Sequence, residues 1–196
     1  MDLIDRASGH FRESIATQQL VMEELAPAIA VAAEKMVASL MNEGKILACG
    51  NGGGAAVAHH FVTNMLGHFE KERPGLAALS LSHDSPALTA IGNHYEFDLI
   101  YSKQVRAIGH HNDLLLVISS SGQSANIVEA IYAAHERGMS VIALTGNDGG
   151  QVAEILSPED LHLNVAVTRT ARIQEIHLLV IHALCDAIDY MLLGGD

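Results

Sequence analysis

The sequence predicts an α/β fold: a three-layer αβα sandwich around a five-stranded parallel sheet, with N-terminal helices ahead of it. Three observations predict it. Leu114 to Ile118 is an unbroken run of five apolar residues, the pattern of a strand buried on both faces. Four further short strand-like runs alternate with helix-periodic segments, the order that builds a parallel sheet. Two of the strand ends run into turns crowded with glycine or serine, where ligands of open α/β sheets gather. Right-handed crossovers and the flavodoxin-like strand order 2-1-3-4-5 complete the expected topology.

The central unit is Asp113 to Ser124, DLLLVISSSGQS. Its strand ends in Ser119, Ser120, Ser121, Gly122, Gln123 and Ser124. A helix with Ile127, Val128, Ile131 and Ala134 on its apolar face follows. A helix start offers free N–H groups at the positive end of its dipole, and the serines add hydroxyls. That arrangement suits an anion, most simply a phosphate. A plain N-cap needs one serine; four crowd this turn.

The remaining elements follow in chain order. Residues 3 to 42 read as helix in two pieces, broken near Pro27 and closed by Gly44. The first piece has little core behind it, so it packs either on its own domain or on another subunit. Residues 45 to 49 form a short strand. Gly50, Asn51, Gly52, Gly53 and Gly54 then lead into a helix from about Ala55 to Leu66. The glycines allow close backbone approach to a ligand, but the spacing is neither GxGxxG nor a Walker A loop. On this helix His60 and Asn64 share a face at i, i+4. On spacing alone the pair could hold a metal weakly; a solvent or subunit contact is the plainer reading. Ala77 to Leu81 is a strand. Ser85 to Gly92 is a helix, and Asn93 and His94 are irregular. His94 is a candidate general base or a solvated loop histidine. Phe97 to Ile108 is a helix, and His110 and His111 sit in a turn. Val141 to Thr145 is a strand, and Leu161 to Val165 an edge strand. The long apolar helix from about Thr170 to Leu193 carries Gln174, His177 and His182 as polar exceptions that need partners.

At 196 residues the chain reads as one domain, with 1–42 helical and 43–196 the α/β core. The net charge of -12, without a basic patch, argues against direct nucleic-acid binding and suits a basic protein partner. Cys49 and Cys185 lie in apolar segments without metal or redox spacing, as reduced thiols do. The N-terminus has no signal-peptide pattern, and no apolar run is expected to reach membrane-spanning length. A cytoplasmic protein is the expectation.

CGNGG at 49–53, ISSSGQSANI at 118–127, ALTGNDGG at 143–150 and ARIQEIH at 171–177 together make the chain resemble the SIS (sugar isomerase) domain proteins. The branch is that of sedoheptulose-7-phosphate (phosphoheptose) isomerase, which also includes the DnaA initiator-associating protein DiaA. The resemblance spans essentially the whole chain and implies a homotetramer with phosphosugar sites between subunits. It assigns Asn51, Gly52, Gly53 and Asn93 to the sugar, and Ser119, Ser120, Ser121 and Ser124 to the phosphate. In the zinc-bearing isomerases the metal ligands are a His and a Glu one helical turn apart, then a Gln and a His on the last helix. His60, Gln174 and His182 match three of these, with Gln174 also at the substrate. The Glu, which is the family's proton-abstracting base, is Asn64 here; His182 matches its acid partner.

Asn cannot abstract a proton, and it removes a negative metal ligand. Zinc is therefore expected to be weakly held or absent. Gly54, Val57 and His94 also stand where the family has serine, aspartate and aspartate. The phosphate turn is kept and the reacting end is altered. The resulting expectation is a phosphosugar-binding, catalytically impaired protein of the DiaA kind, which also lacks the Glu, with a DnaA-type initiator as partner. The alternative is an active sedoheptulose 7-phosphate isomerase of lipopolysaccharide heptose synthesis, with His94 or His59 as substitute base.

Overall fold

A computed structural model describes residues 2–194. Five parallel strands, β1 (Ile46–Gly50), β2 (Ala78–Ser80), β3 (Leu114–Ser119), β4 (Ser140–Gly146) and β5 (Leu161–Val165), form one sheet in the order β2-β1-β3-β4-β5. This is the expected order. All six residues of β3 are buried, as the apolar run requires of a central strand covered on both faces.

Successive strand side chains point to opposite faces, so the strand sequences divide the core in two. Ile46, Ala48, Leu114, Leu116, Ile118, Ile142 and Leu144 face α1 (Leu3–Met41), α2 (Gly53–Leu66) and α7 (Thr170–Leu193). Leu47, Cys49, Leu115, Val117, Val141 and Ala143 face α4 (Ser102–Ile108), α5 (Ala125–Glu136) and α6 (Gly150–Ile155). Helix α3 (Ser85–His94) packs Leu88 and Ile91 at the margin of this second cluster.

Several expectations are corrected. Residues 3–41 form one helix, with Pro27 inside it. Proline removes one N–H and leaves the carbonyl of Glu23 without its helical donor. Pro27 lies on the exposed side, where water can serve that carbonyl. Val21 and Leu25 before it, and Ala32, Ala33 and Met36 after it, bury the same face. The single long helix from 97 to 108 is instead a 3-10 turn, Phe97–Leu99, followed by α4. Asn93 and His94 form the last turn of α3, not an irregular stretch. Helix α6 follows Gly149, between β4 and β5. Helix α7 does reach membrane-spanning length and apolarity. Its stripe of Ile173, Ile176, Val180, Leu184 and Ile188 is nevertheless buried against the sheet-side core.

Candidate functional site

The two ligand-type turns leave neighbouring strands, β1 and β3, at their carboxyl ends. Gly54 lets the first turn of α2 settle onto β3, since a Cβ there would lie 2.5 Å from the carbonyl oxygen of Ile118. Gly122 has φ +64, and a side chain would overlap the Gly149 carbonyl. These glycines bring the turns together around a cavity of about 80 Å³. Asn51, Gly54, Val57, Ser119, Ser120, Ser121, Ser124, Gln174 and His177 line it, with Ile118 behind.

The hydroxyls are oriented. Ser119 Oγ accepts from the Gly122 N–H at 3.1 Å, and Ser121 Oγ accepts from the Gln123 N–H at 3.2 Å. Each keeps its own O–H to donate. Ser124 is the N-cap of α5 and makes no side-chain cap bond. Its carbonyl takes the N–H groups of Ile127 and Val128, while those of Ala125 and Asn126 have no intrahelical acceptor. The lining carries no carboxylate, lysine or arginine, so hydroxyls, amides and the α5 dipole are what it offers an anion.

Asn126, which sequence reasoning passed over, joins the two turns. Asn51 Nδ2 donates to Asn126 Oδ1 at 2.8 Å, and Asn126 Nδ2 donates to Asn51 Oδ1 at 2.9 Å. Tyr101 Oη donates to the Gly50 carbonyl at 2.5 Å beside them. The only signal for Asn126 was a polar residue on the otherwise apolar face of the helix after the serines. Gln174 packs against Gly53, where a Cβ would lie 2.4 Å from Nε2. Gly52 has φ +51 with open space around it.

His177 is almost fully buried, and its Nε2–H donates to the Thr145 carbonyl at 2.9 Å. A carbonyl only accepts, so the neutral ring presents Nδ1 as an acceptor. Burial pushes its pKa down to about 4, against the opposing pull of that hydrogen bond. The unfolded ring therefore binds more protons than the folded one between pH 6.5 and about 4. The stability this contributes is complete above pH 6.5 and is lost as pH falls through that window. His177→Gln should flatten the loss, worth on the order of 3 kcal/mol at 1.36 kcal/mol per unit, in melting curves across that range.

The second polar group lies along α2 and α7. His60 Nε2 and His182 Nε2 are 2.9 Å apart, and Asn64 Nδ2 is 3.3 Å from His60 Nε2. One imidazole must donate to the other. Burial, then the neighbouring His182, lowers the pKa of His60. Burial pushes the pKa of the Cys185 thiol up to about 12, against the opposing influence of the Asn64 amide. Gln174 lies eight residues before His182 on α7, about 12 Å along the axis, in the serine cavity. Among the described residues no three His, Cys, Asp or Glu side chains gather as a metal site. Of the expected metal ligands, His60 and His182 meet beside the Asn64 amide, and Gln174 stands apart from them in the serine cavity. Asn93 and His94 are exposed at the end of α3 and do not line the serine cavity.

Ligands of open α/β sheets bind outside the carboxyl ends of the strands, and here the glycine and serine turns line a cavity at those ends of β1 and β3. A family model described as SIS domain matches residues 10–146. The phosphoheptose isomerase of Laribacter hongkongensis (strain HLHK9) is 66% identical over 196 residues, covering 100% of both chains. The solved phosphoheptose isomerase of Neisseria gonorrhoeae matches with a TM-score of 0.91 at 55% identity, over 96% of this chain and 99% of that one. That of Francisella tularensis matches with a TM-score of 0.93 at 46% identity, with the same coverage. The chain belongs to the SIS-domain family, in its phosphoheptose isomerase branch.

Proposed function

We propose that this protein binds a phosphorylated sugar through Ser119, Ser120, Ser121 and Ser124 but is impaired in interconverting aldose and ketose. The observation that carries this reading is the side chain at position 64, an amide 3.3 Å from His60 in place of a carboxylate. Moving a proton between adjacent carbons needs a base. Neither the cavity lining nor the histidine pair brings a carboxylate to the reacting end. Zinc binding is weak in the same reading, because neutral ligands leave the ion's charge uncompensated. The role left to such a protein is regulatory and cytoplasmic, of the DiaA kind, with a DnaA-type initiator as partner.

A sedoheptulose 7-phosphate assay, with and without added zinc, tests the reading directly. Turnover at a rate normal for an isomerase would overturn it. Binding is tested separately. Ser121→Ala with Ser124→Ala should weaken sugar-phosphate affinity roughly 10²–10⁴-fold, at about 1.5–3 kcal/mol per charge-assisted bond. Calorimetry with sedoheptulose 7-phosphate reads it. The second reading, an active isomerase, is favoured by the names of the relatives at 58% to 66% identity and by the intact His60–His182 pair.

We also propose assembly into a homotetramer. Leu3, Ile4, Phe11, Leu20 and Met22 of α1 and Leu179 and Tyr190 of α7 are exposed. A groove of about 400 Å³, lined by Ile15, Met22, Leu25, Ile176 and Leu179, runs between the two helices. Light scattering at micromolar concentration should give four times the monomer mass; a monomer would refute the assembly.

A further inference from the structure

We infer that Arg73 is a positioning residue: it clamps α2 to α7 and thereby sets the separation of His60 and His182. Arg73 comes from the polar loop after α2, yet it is 7% exposed. Its Nε donates to Asp189 Oδ1 of α7 at 2.5 Å. Its Nη2 donates to the Asn64 carbonyl at 2.9 Å, and its Nη1 donates to the Met65 carbonyl at 2.9 Å and the Gly67 carbonyl at 3.3 Å. One guanidinium therefore serves the carbonyls that the end of α2 leaves without helical donors, and ties them to α7.

The placement is what gives the clamp its effect. Asp189 stands seven residues after His182, two turns along α7 on the same face. Asn64 stands one turn after His60 on α2. Arg73 thus sits beneath the histidine pair, between the same two helices. Its pairing is not arranged for the most favourable ion pair. A bidentate fork would satisfy both carboxylate oxygens, but Asp189 Oδ2 is buried without a partner. The remaining guanidinium donors go to carbonyls at the end of α2 and in the loop after it instead. A buried ion pair is weak evidence for stability, and this one joins the two elements whose spacing fixes a 2.9 Å contact between ring nitrogens.

The inference rests on the histidine pair belonging to the reacting end, but its test does not require turnover. The probe is the downfield imidazole N–H proton of the full-length protein labelled with 15N-histidine, assigned by its loss in His60→Gln. Wild type should show one such signal, coupled to a single Nε2. Arg73→Gln and Asp189→Asn should lose it at temperatures where circular dichroism shows a folded chain. Arg73→Lys, which can still reach Asp189 but not all the carbonyls, should shift it. Asp113→Asn is the control. It breaks the pair of Lys45 Nζ with Asp113 Oδ2, at 2.5 Å, where β1 and β3 begin. That variant costs stability elsewhere and should leave the signal in place. If Arg73→Gln does not fold, the isosteric Asp189→Asn decides. The inference is overturned if wild type lacks the signal, if Asp189→Asn and Arg73→Lys both keep it unshifted, or if Asp113→Asn loses it equally.

Discussion

Replacing Asn64 by glutamate should raise sedoheptulose 7-phosphate isomerase activity by roughly 10²–10⁴-fold, the range a positioned general base contributes. The side chain at 64 already lies against His60, which in turn meets His182. A carboxylate there would supply the missing proton acceptor next to an imidazole able to return the proton. It would also add a charged ligand to the two histidines, so zinc affinity should rise as well. The activity assay and zinc titration calorimetry are independent readouts. Gain in zinc affinity without gain in rate would place the sugar's reacting carbons away from position 64. Gain in neither would show that residue 64 is not what limits this site, and the impaired-isomerase reading would fall.

Gly122→Ala should be the most damaging single methyl group in the serine turn. The residue has φ +64, a region that costs a non-glycine residue about 1–3 kcal/mol. The added Cβ would also overlap the backbone carbonyl of Gly149, and overpacking of that kind costs a further ~1–3 kcal/mol. Backbone cannot swing aside as a flexible side chain can. The Gly122 N–H also holds Ser119 Oγ, and its carbonyl accepts the Val152 N–H that starts α6. A lower denaturant midpoint and loss of sugar-phosphate binding should appear together. Binding retained at full strength would mean that the hydroxyls do not depend on this turn.

The sheet and the serine turn were legible because both are written locally. An unbroken apolar run specifies a central strand, and alternating strands and helices limit the strand order. The turn after β3 carries its chemistry in consecutive residues. What was missed depends on contacts between distant residues. Pro27 looks like a break until the faces before and after it are seen to bury together. Asn126 looks like a helix residue until it meets Asn51, 75 positions away. Arg73 sits in a polar segment, EKERPG, and nothing nearby in sequence reveals Asp189, 116 positions on. His177 was visible as a polar exception, but its partner is a backbone carbonyl, which leaves no mark in the sequence. The altered positions were the reverse case. Asn64 became informative only beside a family pattern, and the structure then gave it neighbours.

The reciprocal amide pair between Asn51 and Asn126 has a consequence for motion. Each side chain occupies the other's donor and acceptor, so neither turn can open without stranding a polar group of its neighbour. The glycine turn and the serine turn therefore breathe as one cooperative unit, although they belong to different strands. An anion held by the serines would slow the opening of both, and backbone amides after β1 would gain protection from exchange together with those after β3.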